Sequence, residues 1–149
     1  MGNQKLDFIL EHQEDLLRFC FFLIRDEVLA QDLAQDTFIR CLKFDKKIEN
    51  PKAFLFQTAR HLHIDTKRRE KYLSQILSDE IRAETIEFPD LEVWRTLFSL
   101  EQVDQDVLML IDREGLSASE AAGVLGLSEP AVKSRLIRAR ENFQKKWNK

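Results

Sequence analysis

The sequence is poor in the residues that punctuate β structure. It has Gly 4 and Pro 3 in 149 residues, whereas an all-β domain needs a turn every ~8–12 residues. Cysteine is nearly absent. Cys20 and Cys41 stand alone in apolar contexts, which excludes a disulfide scaffold and predicts buried, reduced thiols in a cytoplasmic protein. Long apolar runs are missing too. The most apolar one, Phe19–Ile24, is closed in by Arg18 and Arg25, and a membrane span needs about 20 residues. No basic segment leads into an apolar stretch at the N-terminus, so no secretory signal and no membrane insertion are expected. There is no Gly-rich phosphate loop, no ligand cluster and no nucleophile–base pair at motif spacing. The chain is therefore not expected to be an enzyme or to hold a cofactor or metal. His61 and His63 with Cys41 are the nearest approach to a metal site, but an i, i+2 spacing puts the two histidines on different helix faces.

What is present favours helices. Leu, Ala, Glu, Gln, Lys and Arg dominate, 44% of residues are apolar and 33% are charged. Such a chain folds, and folds as helix. Its length allows one ordinary domain or two small ones. The net charge of −3 hides a segmental pattern. Residues 1–72 carry 13 basic and 12 acidic side chains, 73–114 carry 3 and 11, and 115–149 carry 7 and 3. An acidic middle separates a balanced front from a basic tail. A charged run is often only a solvated face, but phosphate is bound by local patches, so the distribution matters more than the total.

Periodicity places the elements. Residues 5–24 read as one helix, and 27–43 as a second with Asp26 as N-cap. The lysine-rich 44–50 reads as a loop. Asn50-Pro51 then opens a third helix to about Tyr72, with Asn capping and Pro at the first helical position. Residues 73–93 read as a partly helical acidic linker. A further helical pattern begins near Pro89-Asp90 and takes in Leu91, Trp94, Leu97 and Phe98.

The last third is the most legible. Val103, Val107, Leu110 and Ile111 lie on one helix face, and Gly115 closes that helix. Ser117-Ala118-Ser119-Glu120 is a capping box. A short helix with Ala121, Ala122, Val124 and Leu125 follows. Gly126 ends it, Leu127 plugs the turn, and Ser128 caps a last helix with Pro130 in its first turn. Two capped helices around a Gly turn match a helix-turn-helix, and the competing reading is an αα-hairpin in a bundle. The last helix decides between them. With Val132, Leu136, Ala139 and Phe143 inward, Pro130, Ser134, Arg138 and Glu141 face outward. Lys133 and Ile137 flank one side, Ala131 and Arg135 the other. No acid stands between Val132 and Arg140. Residues 128–138 thus read as a recognition helix for a major groove, with arginine suited to guanine edges and the helix N-terminus to phosphate.

In the third helix Phe56, Arg60, His63 and Lys67 form a second stripe. One reading is a nucleic-acid face that interleaves a ring with cations. The other is an ordinary amphipathic helix with Phe56 in the core and a basic end matching the helix dipole. On the second helix Asp32, Gln35 and Asp36 share a polar face.

Four stretches together resemble the extracytoplasmic-function sigma factors, small two-domain members of the bacterial RNA polymerase sigma-70 family. They are Asp32-Leu33-Ala34-Gln35-Asp36-Thr37-Phe38-Ile39-Arg40; Asn50 to Arg60 with Ile64-Asp65 and Lys67-Arg68-Arg69; Glu114-Gly115-Leu116-Ser117 with Glu120-Ala121-Ala122 and Leu125-Gly126; and Val132-Lys133-Ser134-Arg135-Leu136 with Arg138-Ala139-Arg140. They stand in the family's order and separation.

The resemblance implies an all-α chain: a region 2-like domain over 1–72, an acidic linker over 73–93 and a region 4-like helix-turn-helix domain over 94–149. It implies a sigma factor that directs core RNA polymerase to specific promoters. Asp32, Gln35, Asp36, Phe38 and Arg40 are expected to dock on the β′ clamp helices, and the β flap is a second expected polymerase contact. Lys47, Asn50, Lys52, Phe54, Phe56, Arg60, His61, His63, Lys67 and Arg68 are expected on melted −10 DNA. Ser128, Lys133, Ser134, Arg135, Arg138 and Arg140 are expected on duplex −35 DNA. The linker is expected to thread the polymerase interior, and an anti-sigma factor is an expected partner. At His61 the family very often has Asn. The alternative reading is a helix-turn-helix regulator with a helical effector or dimerisation domain in front.

Overall fold

Two short side chains show how locally the fold is set. The Asp26 carboxylate accepts from the Leu29 backbone N–H at 2.9 Å, and Asn50 Oδ1 accepts from Ala53 N–H at 3.2 Å. Each satisfies a donor that a helix start would leave open. In the computed structural model the backbone is described for residues 2–74 and 91–148, and side chains for 6–66 and 91–148. The described residues form helices and no strands. The chain divides into two compact units, Met1–Ile86 and Glu87–Lys149.

The first unit packs α1 (Gly2–Glu11), α2 (Gln13–Ile24), α3 (Glu27–Leu42) and α4 (Pro51–Ser74). The single helix expected over 5–24 is two. At His12 (φ −102°, ψ 17°) the ladder slips to an i→i−3 bond, His12 N–H to the Ile9 carbonyl at 3.2 Å. The apolar pattern runs on through this break, so periodicity alone does not reveal it. Arg25 ends α2 in the left-handed region at φ 62°. The core holds Leu16, Phe19, Cys20 and Phe22 from α2, Ala30, Leu33, Ala34 and Cys41 from α3, and Leu55, Phe56 and Ala59 from α4. Two buried threonines satisfy themselves on their own helices: Thr37 Oγ1 donates to the Leu33 carbonyl at 2.7 Å and Thr58 Oγ1 to that of Phe54 at 2.8 Å. Cys41 Sγ lies 3.8 Å from Thr58 Oγ1. Both cysteines are free and buried, and burial pushes the Cys20 thiol up to about 12.

The second unit packs α5 (Leu91–Phe98), α6 (Gln102–Val107), α7 (Ala118–Leu125) and α8 (Glu129–Trp147). After Val107 the helix widens into a π-helical stretch, Leu108–Arg113. Its wider turns put Val107, Leu108, Met109 and Leu110 all inside. Val103, expected on the inner face, is 41% exposed instead. Gly115 (φ 76°) and Gly126 (φ 69°) supply the left-handed turns that close the π-helical stretch and α7. The capping box at Ser117 is reciprocal: Glu120 N–H reaches Ser117 Oγ at 3.1 Å, and Ser117 N–H reaches Glu120 Oε1 at 2.8 Å. Ser128 Oγ accepts from Ala131 N–H at 3.2 Å. Leu127, expected to plug the turn, lies outward at 42% exposure.

The greater part of the expected linker, residues 75–90, lies outside the described residues. At its two ends α4 runs through Ser74 and α5 begins at Leu91. The acidic middle is not a property of the linker alone. Glu101, Asp104, Asp106, Asp112 and Glu114 belong to the second unit, and three of them hold arginines of α8. No helix among the described residues is long and apolar enough to cross a membrane.

Candidate nucleic-acid and polymerase interfaces

Helix α8 sorts its side chains by angle. Val132, Leu136 and Ala139 are buried, and Phe143 is half-buried. On one flank of this stripe Arg135 Nε donates to Asp104 Oδ1 at 2.6 Å, and its Nη2 donates to Glu101 Oε2. On the other flank Arg140 forks onto Asp112 at 3.0 and 2.7 Å. The bond to Glu101, against the opposing effect of burial and with help from Asp104, holds the Arg135 guanidinium above its ordinary pKa. The bond to Asp112 does the same for Arg140. These two arginines were expected on −35 DNA. Both pair with carboxylates of their own unit, Arg135 through a part-buried bond to Asp104 and Arg140 through exposed bonds to Asp112, so each fork-shaped cation has a partner in place. Sequence periodicity misses this, since the partners lie 31 and 28 positions away.

The outward face that remains is small and basic. Ser134 and Arg138 are exposed, and neither has a partner among the described residues. Lys133 keeps 65% of its side chain exposed beside Glu129 at 3.3 Å, an exposed i, i+4 pair of little strength. Ser128 serves as the N-cap. Ile137 is 60% exposed on the same side. Its position off the buried stripe was readable, yet an apolar residue was not expected among the contacts. Beside cations it is suited to a thymine methyl.

In the first unit the expected −10 residues separate into groups. Phe56 is a core ring with 0% exposure, stacked on Phe19 at 4.5 Å between centroids. In this structure it has no free face for a base, which favours the amphipathic reading of that stripe. Lys52 is turned inward as well. Its ammonium lies 3.5 Å from Asp15 and 5.8 Å from the Phe56 ring centroid, so it ties α4 to α2. Burial alone would raise the Asp15 carboxyl. Lys52, His12 and Arg18 outweigh it and hold the group below its ordinary value. Phe54 is half-buried against Phe44, with centroids 4.8 Å apart. Arg60 and His63 are half-buried. Lys47, Asn50 and His61 are exposed. The side chains of Lys67 and Arg68 lie outside the described residues.

On α3, Asp32, Gln35, Asp36 and Arg40 are exposed and Phe38 is half-buried. Asp36, Ile39 and Arg40 of this helix and its C-cap residue Lys43 line a shallow depression with Leu62 of α4. Ile39 is 51% exposed there. An apolar centre ringed by charges suits a protein partner better than DNA. Among the described residues no three His, Cys, Asp or Glu side chains gather as metal ligands.

Two family models match the chain, one within each unit. The model for Sigma-70 region 2 matches residues 8–72, and that for Sigma-70, region 4 matches 90–143. The ECF RNA polymerase sigma factor SigM of Bacillus subtilis is 30% identical over 149 positions, covering 93% of this chain and 91% of that protein. The ECF sigma factor SigC of Mycobacterium tuberculosis is 30% identical over 146 positions, covering 90% and 78%. Among solved structures, the sigma factor RpoE of Bartonella quintana, determined with the anti-sigma factor NepR, shares the fold with TM-score 0.84 at 24% identity, covering 99% of this chain and 98% of its own. CnrH, determined with the cytosolic domain of CnrY, matches with TM-score 0.70 at 26% identity over 97% of this chain and 88% of its own. The chain belongs to the extracytoplasmic-function RNA polymerase sigma factors, which direct promoter-specific initiation of transcription.

Proposed function

We propose that this sigma factor divides promoter recognition between its two units. The region 2-like domain lies in Met1–Ile86 and the region 4-like domain, with the whole of α5, in Glu87–Lys149. The second unit reads the duplex −35 element with Lys133, Ser134, Ile137 and Arg138 of α8, while Arg135 and Arg140 brace the helix. The first unit takes melted −10 DNA on the loop before α4 and the exposed side of α4, through Lys47, Asn50 and His61. The outer face of α3, with Asp32, Gln35, Asp36, Ile39 and Arg40, docks on the polymerase β′ clamp helices. The second unit meets the β flap, and catalysis stays with the polymerase. An anti-sigma factor holds the chain inactive, as the sigma factor of Bartonella quintana was determined with one.

The observation that carries this reading is the sorting of α8. Of its four arginine and lysine side chains between 133 and 140, only Lys133 and Arg138 face outward without a carboxylate of another helix. Selection of duplexes from a randomised −35 pool, with the chain bound to core polymerase, tests it. Arg138→Ala relaxes the preference at one position, and Arg140→Ala leaves it. The reverse result contradicts the assignment. Asp36→Arg lowers affinity for core polymerase in a titration without unfolding the chain. Unchanged affinity removes α3 from the docking face.

A further inference from the structure

Asp104 is the most buried carboxylate described in the second unit, with a side chain 2% exposed. It sits in the first turn of α6, and Glu101 is that helix's N-cap residue. Residues at these positions ordinarily cap their own helix. Here Glu101 makes no side-chain cap bond, and both carboxylates reach across to α8. Asp104 uses both oxygens: Oδ1 accepts from Arg135 Nε at 2.6 Å, and Oδ2 from Asn142 Nδ2 at 3.0 Å. Residues 135 and 142 lie two helical turns apart on one side of α8, about 20° from each other at 100° per residue. Asp112 holds Arg140 on the opposite flank of the buried stripe.

A helix gripped only by Val132, Leu136 and Ala139 is free to roll slightly, because apolar contact is non-directional. Hydrogen bonds fix direction, and charge-assisted ones fix it most strongly. A two-point hold on one flank sets the roll of α8 and its axial position against α6. The outward angle of Ser134 and Arg138 follows from that roll. Base-edge contacts tolerate little error in angle, whereas phosphate contacts by long cations tolerate much.

We propose that Asp104 is a positioning residue for promoter reading: through Arg135 and Asn142 it fixes the roll of α8, so that −35 selectivity depends on a carboxylate that touches no DNA. This rests on the reading of α8 as the −35 helix.

The test uses the full chain with core polymerase. Duplexes are selected from a randomised −35 pool with the wild-type chain. Affinities are then compared for the selected duplex and a scrambled one. Asp104→Asn keeps the shape and removes the charge. Its expected effect is a fall of about tenfold in affinity for the selected duplex, with binding to the scrambled duplex within twofold of wild type. Asn142→Ala leaves the Asp104–Arg135 pair in place and remains informative where Asp104→Asn unfolds. It is expected to lower the preference about threefold in the same selective way. A merely structural role removes active protein and lowers both affinities together, and that outcome overturns the proposal. So does wild-type preference in both variants. Arg138→Ala is the control for the underlying reading. Loss of preference in Arg138→Ala with none in the Asp104 and Asn142 variants sinks the positioning role alone. Unchanged preference in Arg138→Ala sinks the −35 reading itself.

Discussion

Phe19 and Phe56 stack at 4.5 Å between centroids with 24° between their planes, and both rings are buried. This pair joins α2 to α4 at the centre of the first unit. Phe56→Ala should therefore act as a core deletion, costing about 3–5 kcal/mol. Urea unfolding followed by circular dichroism measures it. His61→Ala, at an exposed position, should leave the unfolding midpoint unchanged and weaken capture of melted DNA. A stable Phe56→Ala chain with a selective defect in promoter opening would return the ring to the DNA.

The outward cations of α8 should differ from the inward ones in kind. Arg138→Ala should cost about 1–3 kcal/mol of discrimination at one base pair. Lys133→Ala should weaken all duplexes alike and reduce the salt slope by about 1. Arg140→Ala removes an ion pair with side chains 54% and 37% exposed, which is worth at most about 1 kcal/mol of stability, and should leave both readouts unchanged. Binding titrations at several salt concentrations separate the three.

Local signals were the legible part of this protein. Asp26, Ser117 and Ser128 each act within three residues, so sequence alone places these helix starts. The motifs that point to a sigma factor are likewise short and contiguous. Long-range pairing was not legible. Arg135 and Arg140 look like DNA contacts in a sequence, because the carboxylates that take them come from another helix. Phe56 was ambiguous for a related reason: a stripe of ring and cations has the same period whether it faces solvent or core. The π-helical stretch at Leu108–Arg113 and the break at His12 left no mark on the apolar pattern.

Asp15 links α2 to the start of α4 through Lys52 at 3.5 Å, and to Arg18 at 2.7 Å. Its carboxyl lies below the ordinary 3.8 in the folded chain. A depressed carboxyl stabilises the fold fully above the unfolded value and loses that contribution as pH falls through the folded value. The first unit should thus weaken below about pH 4, and Asp15→Asn should flatten this part of the acid-unfolding curve. Its partly exposed setting makes the effect small. An identical acid limb in both chains would contradict the coupling.

Cys20 and Cys41 should resist thiol reagents in the native state. Both are buried, and the Cys20 thiol is raised to about 12, so almost no thiolate exists at pH 8. Both should react at once in urea. Rapid labelling of either residue in the native chain would mean that the α2–α3–α4 core opens far more readily than its packing implies.

Transcription from a pool of templates with randomised −35 and −10 positions, by core polymerase with and without the purified chain, tests the central claim most directly. The account predicts that the chain binds the core one to one, that transcripts start only when it is present, and that their templates share a −35 sequence whose readout is lost in Arg138→Ala. Transcripts of the same distribution with and without the chain would contradict it.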